Sequence, residues 1–464
     1  MGRDSYTRRR MLASVGAAGI AGLAGCSGGE SDGDTEGSTG TDGTSTSMNA
    51  EASGTVKVGV LQPVSGNLKY YGEQALWGFY QGLSYKSDDD FAPPAETGTH
   101  TVTVGDVDYE LLVRDTQLNP DEAQTAATDL VSSEDVDVLF GCTSSASATR
   151  VINTVAKQSG VTTLVGPAAS ADITSNGDTC AANVFRASEN VAMDARSGGQ
   201  YVADNTDVSK VYLFGADYSF GRSVVNNYQS VLEANGIEIV GKKFVPQEYS
   251  EWEGLLDNAE SAGAEGIVAG FTVATLPQLF TTFLNGDYSF RVFGGFATQI
   301  TTGIVGQTLQ KVLGEPLTAE KLSNAKLGPF TTRYHWNQYD NEINSAFVES
   351  YTDAYGVVPD LFSSGTFTAS SALVQAVEAS GSTASADISA ELRGMVVADT
   401  PKGADGYAFQ EYNNQARSQM SIAELTVNDE DNWNAAIKPS APVTTVDAER
   451  TTIPSDASEM DCSL

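Results

Sequence analysis

Short apolar runs recur along this chain and alternate with longer stretches of helical period. Valines at 56, 58 and 60 alternate within 55–61, the two-residue repeat of a strand. Further apolar runs fall at 109–113, 136–140, 161–165, 211–214, 237–245, 267–271 and 290–294. Between them the spacing predicts helices at about 71–85, 121–134, 145–159, 190–204, 220–235, 251–262 and 275–286. Short strands alternating with helices indicate βαβ units and parallel sheets, an α/β fold class. Two such blocks, 55–187 and 208–296, are too much for one sheet. The pattern therefore predicts two doubly wound parallel-sheet lobes joined by a hinge, with a cleft between them. Ligands of such sheets bind beyond the carboxyl ends of the strands. That rule singles out the loops 62–72, 114–120, 141–146, 166–172, 215–221, 270–275 and 295–299.

The pattern breaks down at the start of the chain. Residues 8–10 are three arginines, and an apolar run follows over 12–24. Charge followed by a short apolar run is an export signal, and thirteen residues fall short of the ~20 needed to span a bilayer. Arg8-Arg9 with Leu12 resembles a twin-arginine signal, and Leu23-Ala24-Gly25-Cys26 resembles a lipobox in which Cys26 is lipidated. Residues 1–25 are thus expected to be removed. The next stretch, 26–54, is mostly Gly, Ser, Thr, Asp and Glu with almost nothing apolar, too polar to offset its ordering entropy by burial, and is expected to be a tether. The anchored protein would stand on the outer face of the cytoplasmic membrane.

Charge narrows the partners. The 464 residues carry 60 acidic and 26 basic side chains, a net charge of -34, and only 12 of the bases are lysines. Such a surface repels nucleic acid. An acidic, lysine-poor chain with 41% hydrophobic residues fits a globular protein hydrated in high salt, as in a haloarchaeon. Two histidines, His100 and His335, leave no material for a histidine-rich metal centre. Neither lies in a candidate loop, and no P-loop or Ser-His-Asp set is present, so neither catalysis nor a cofactor is expected.

What the loops offer is hydroxyls, backbone N–H groups and aromatic rings. In Phe140-Gly141-Cys142-Thr143-Ser144-Ser145-Ala146 a strand end passes into a helix. Ser144 or Ser145 can cap that helix, and the next N–H groups and the helix's positive end favour a carboxylate. Gly166-Pro167-Ala168-Ala169-Ser170 repeats the pattern with small residues. Tyr71 and Phe220, one per block, are placed to close on an apolar ligand body.

These pieces together resemble the extracytoplasmic solute-binding proteins of branched-chain amino acid ABC importers. The resemblance runs over about 56–435. It rests on Gly59-Val60-Leu61, Ser65-Gly66, Tyr71-Gly72, Arg114-Asp115, Asn119-Pro120, Ser144-Ser145, 166–170, Phe185-Arg186, Asp217-Tyr218, Phe220-Gly221 and Trp252. It implies a hinged, monomeric clamp that presents a small solute to a membrane permease. Ser145 would bind the ligand carboxylate, Ala168 would offer its carbonyl to an ammonium, and Ser170 its hydroxyl. Tyr71 would line the side-chain pocket and Phe220 lie over the ligand. The second-lobe loop that supplies an acid for the ammonium reads Gly294-Gly295-Phe296-Ala297-Thr298, with no acid. Glu189 and Asp217 are the nearest replacements by loop placement. The resemblance further implies lobe segments 55–187 (first), 188–296 (second), 297–385 (return to the first) and 386–443 (completion of the second), with a polar tail at 444–464.

Setting Cys26 aside, Cys142, Cys180 and Cys462 allow three single pairings, each leaving one free thiol. A Cys180–Cys462 bond would pin the tail to the body, and export permits it; three free thiols are the alternative. For function, an importer's solute receptor leads, with a branched-chain amino acid as the solute and an amide, urea or small organic acid as alternatives. A ligand-sensing surface module and a secreted hydrolase are the competing classes.

Overall fold

The computed structural model describes residues 52–295, 298–430, 433 and 435–464. The export signal, Cys26 and nearly all of the tether lie outside the described residues, as do Phe296 and Ala297. Among the described residues no helix is long and apolar enough to cross a membrane.

The first lobe is built on a six-stranded sheet in the order Gly98–Val104, Val107–Asp115, Gly54–Gln62, Val138–Gly141, Thr162–Val165, Val184–Arg186. Its pairings are parallel apart from the edge hairpin of the first two strands. Val56, Val58 and Val60 pack with Leu76, Phe79 and Leu373 on one face. Leu61, Leu112 and Leu139 pack with Ala127 and Leu130 on the other. Burial on both faces is what lets a parallel sheet form here. The second lobe carries four parallel strands in the order Arg291–Phe293, Gly266–Gly270, Lys210–Ala216, Glu238–Val245. Phe214, Trp252 and Ile267 fill one side of that sheet, and Leu213, Val224 and Tyr228 the other. The two-lobed α/β architecture is thus the one the hydrophobic pattern predicts. The short strand Val184–Arg186 and the edge strand Gly98–Val104 are additions to it.

The later crossings come at other places than the expected segments. Helix Gln299–Leu313 does not return to the first lobe, because Val305 and Leu309 complete the apolar core of the second. The return comes with Glu342–Tyr355 and Leu361–Ser380. Residues 386–418 stay there: Ile388, Leu392, Met395, Val397, Tyr407 and Phe409 are buried in the first lobe's core. Only from about Met420 does the chain rejoin the second lobe, where Met420–Ala423 pairs with Phe330–Thr332 and Thr444–Val446 and Ile437 enters the core. Beyond this, Cys462 is joined to Cys180, with Cα atoms 6.0 Å apart. Ile453 is buried beside the second lobe's helices.

Glycine positions one edge of the cleft. A Cβ on Gly78 would lie 2.2 Å from the Ser363 carbonyl oxygen, and one on Gly82 would lie 2.0 Å from Ser370 Oγ. Their absence lets helix Lys69–Lys86 lie directly against Leu361–Ser380, running the same way. Both N-termini therefore reach the cleft together, with the Tyr71 and Phe362 rings 5.1 Å apart.

Candidate functional site

The lobes meet around a cavity of about 350 Å³, the scale of a small solute. First-lobe loops contribute Tyr71, Thr143, Ser144, Ser145 and Pro167. The second lobe contributes Tyr218, Phe271 and Leu276, and one helix face carrying Phe220, Val224 and Tyr228. Those last three are one turn apart, so the stripe runs roughly 12 Å along the cavity. Its Phe220 end is apolar, walled by Tyr218, Phe271 and Tyr71.

Among the described residues, hydrogen bonds join the lobes near this cavity. The Val273 N–H donates to Tyr71 Oη at 3.1 Å, and Tyr70 Oη donates to Gln299 Oε1 at 2.6 Å. The Ala171 N–H donates to Ser223 Oγ at 3.0 Å. The Gln299 N–H, at the start of a second-lobe helix, donates to Asp360 Oδ2 at 2.8 Å. Asp360 also caps its own first-lobe helix through the Phe362 N–H. It thus joins two helix N-termini from opposite lobes. Burial pushes its carboxyl up to about 6, against the hydrogen bonds that favour the anion. Burial likewise pushes the Tyr71 hydroxyl up to about 12, so it stays protonated while accepting from Val273.

Helix-terminal and hydroxyl donors lie on the first lobe. Ser144 has extended backbone angles and caps helix Ser145–Val151, accepting the Ser147 N–H at 3.4 Å. The helix makes no use of its own first N–H groups, at Ser145 and Ala146, and both residues line the cavity. Ser145 Oγ accepts the Ser170 N–H at 3.1 Å, which leaves its proton free to donate. Behind this loop lies Arg186, fully buried. Its guanidinium donates to the carbonyls of Ala168 (3.1 Å) and Ser170 (2.6 Å), to Thr174 Oγ1 and to Gln415 Oε1. All four acceptors are neutral, and among the described residues Arg186 forms no salt bridge. Burial lowers the Arg186 pKa to about 9, within a range where it remains cationic at neutral pH. This side of the cavity is therefore backed by a buried guanidinium on which Asp172 is the acid that acts.

Of the residues singled out from sequence, Tyr71, Ser144, Ser145 and Phe220 line the cavity together. Ala168, Ser170, Glu189 and Asp217 do not. The Ala168 carbonyl faces Arg186 and is occupied by it. Ser170 is buried, with its hydroxyl on Asp172 Oδ2 at 3.3 Å. Glu189 is buried against Lys402 at 2.7 Å, with Tyr407 and Ser418 also donating to it. Although burial opposes ionisation, Lys402 and these donors hold Glu189 below the usual carboxylate range. Asp217 is exposed and pairs with Arg222. Loop position alone could not show that these side chains have partners elsewhere.

Sequence reasoning missed Asp194, Arg333, Tyr228 and Thr331, which form the other end of the cavity. Arg333 Nε and Nη2 donate to Asp194 Oδ1 and Oδ2 at 2.9 and 2.5 Å, and Nη1 donates to the Glu189 carbonyl at 3.2 Å. Tyr228 had a visible signal, since 220, 224 and 228 recur at helical spacing. Arg333 had none, because nothing in the sequence ties it to Asp194, far from it along the chain.

Comparison with known proteins fits this arrangement. The family described as Periplasmic binding protein matches residues 55–431. The Leu/Ile/Val-binding protein homolog 6 of Brucella abortus is 26% identical over 333 residues, covering 70% of this chain and 76% of its own. Among solved structures, an ABC-type branched-chain amino acid transporter protein from Rhodopseudomonas palustris is 22% identical with a TM-score of 0.65, covering 86% of this chain and 98% of its own. A solute binding protein from R. palustris in complex with benzoate is 21% identical with a TM-score of 0.64, covering 86% and 99%. A leucine binding protein from Thermotoga maritima is 18% identical with a TM-score of 0.66, covering 85% and 99%. At these identities the solved structures establish the shared fold. The sequence match spans both lobes, and on that ground the chain belongs to the periplasmic binding protein family, extracytoplasmic proteins that bind solutes for transport and are not enzymes.

Proposed function

We propose that this protein captures a small organic acid with an apolar body and delivers it to an ABC-type import permease. The observation that carries this reading is the first-lobe anchor. Ser145 and Ala146, the first residues of their helix, line the cavity, and the buried guanidinium of Arg186 lies behind the loop that Ser145 Oγ holds. A carboxylate there gains charge-assisted hydrogen bonds and the helix's positive end. The apolar body lies against Tyr71, Tyr218, Phe220 and Phe271.

A branched-chain amino acid meets both requirements but adds an ammonium. The Ala168 carbonyl is occupied by Arg186, and Glu189 and Asp217 are paired elsewhere. Asp194, the acid on the cavity wall, is held on both oxygens by Arg333. A buried ammonium without its own counter-charge costs several kcal/mol. An acid without the amine is therefore placed ahead of leucine, in line with the benzoate complex among the structural relatives.

Calorimetric titration in molar salt tests this with benzoate and 4-methylpentanoate, their primary amides, and leucine. The acids should bind and the amides should bind at least about tenfold more weakly. Equal affinity for acid and amide, or no binding by either acid, would overturn the reading. We also infer that the protein is a monomer, exported through the twin-arginine signal and lipid-anchored at Cys26 on a salt-adapted cell. Cys26→Ser should move it from the membrane fraction to the medium.

A further inference from the structure

We propose that Asp194 and Arg333 form a second polar subsite that takes an uncharged hydroxyl, so that the preferred solutes are 2-hydroxy acids. This rests on the carboxylate reading above and extends it to a second group on the same molecule.

The pair is built to stay in place. Each side chain is only 8% exposed, and both residues line the cavity. The Asp194 carbonyl accepts from Tyr228 Oη at 3.4 Å and Thr331 Oγ1 at 3.3 Å, which fixes the backbone beneath the carboxylate. Gly295 lies opposite: a Cβ there would lie 3.6 Å from Asp194 Oδ2, so glycine keeps that side of the carboxylate uncovered.

Hydrogen-bonding capacity remains on both partners. A guanidinium has five N–H donors and a carboxylate about four acceptor positions. Arg333 uses one N–H on each of Asp194 Oδ1, Asp194 Oδ2 and the Glu189 carbonyl. The two groups together are neutral. A second carboxylate or an ammonium on the solute would find no net counter-charge in that pair to offset its desolvation. A hydroxyl avoids both penalties, donating to Asp194 and accepting from Arg333.

The position of the hydroxyl follows from the helix stripe. Ser145 Oγ holds the Ser170 N–H, and the neighbouring Ala171 N–H is held by Ser223 Oγ, which places the carboxylate anchor beside the second turn of that helix, between Phe220 and Tyr228. The aromatic end, at Phe220, lies one way from this point, and Asp194, against Tyr228, lies the other. A solute whose carboxylate sits on Ser145 and whose body points toward Phe220 presents the carbon next to its carboxylate to the Asp194–Arg333 wall.

The test compares three ligands of one skeleton on the intact protein in molar salt: 4-methylpentanoate, 2-hydroxy-4-methylpentanoate and leucine. The hydroxy acid is expected to bind at least about tenfold more tightly than the deoxy acid, and more tightly than leucine. Equal affinity for the hydroxy and deoxy acids, or tighter binding of leucine, would overturn the proposal while leaving the carboxylate reading intact. Failure of all three to bind would overturn both. Asp194→Asn should cut the hydroxy-to-deoxy ratio to below about threefold. An unchanged ratio in that variant would also overturn the proposal, and the wild-type ligand series decides the matter if the variant does not fold.

Discussion

Replacing Ser145 by alanine separates the role of this side chain in binding from its role in the fold. Its Oγ accepts the buried Ser170 N–H at 3.1 Å, which leaves its own proton free to donate, and the residue lines the cavity. Removing the oxygen takes away one hydrogen bond to the solute carboxylate, about 1.5–3 kcal/mol for a bond to a charged group. That corresponds to a rise in Kd of roughly 10- to 150-fold. It also leaves the Ser170 N–H without an acceptor, costing about 1–3 kcal/mol of stability. Calorimetric titration reads the first effect and thermal unfolding of the ligand-free protein the second. Ser170→Ala is the control, because its hydroxyl is turned to Asp172 and lies outside the cavity wall. Its Kd should stay within about twofold of wild type. Unchanged affinity in Ser145→Ala, or an equal loss in Ser170→Ala, would refute the placement of the carboxylate.

Three further outcomes follow from the contacts between and beside the lobes. Tyr71→Phe removes the acceptor of the Val273 N–H and should speed ligand release several-fold, about 1 kcal/mol, in stopped-flow displacement; an unchanged release rate would contradict a closure role for this bond. Asp360 is pushed up to about 6 by burial between the lobes, so its anion carries a penalty above that pH that is relieved as pH falls toward the ordinary value of 3.8. If closure is what buries it, binding between pH 7.5 and 5.5 should take up protons and tighten, as read by calorimetry in buffers of different ionisation heat; proton release, or the same behaviour in Asp360→Asn, would contradict this. The Cys180–Cys462 bond spans 282 positions, and its reduction should lower unfolding stability by roughly 2–5 kcal/mol; an unchanged melting temperature would show that the tail adds nothing to the fold.

The lobes were legible in the sequence because alternating valines and helix-spaced apolar residues report burial directly. The loops at strand ends were legible for the same reason, and Tyr71, Ser144, Ser145 and Phe220 followed from them. Side-chain direction was not. Glu189 stands at the right loop but turns to Lys402, more than two hundred residues later. Asp194 and Arg333 meet through tertiary packing, in which Thr331, two residues before Arg333, donates its hydroxyl to the Asp194 carbonyl. The crossing points were hidden too, since the apolar faces of Gln299–Leu313 and of 386–418 would suit either lobe.

Solute recognition in this protein turns on where the acid group lies. A crystal structure grown with the tightest-binding acid should show one carboxylate oxygen within hydrogen-bond distance of Ser145 Oγ and the other on the N–H groups of Ser145 and Ala146. A carboxylate bound away from that helix, or a solute lodged outside the cavity between the lobes, would contradict it.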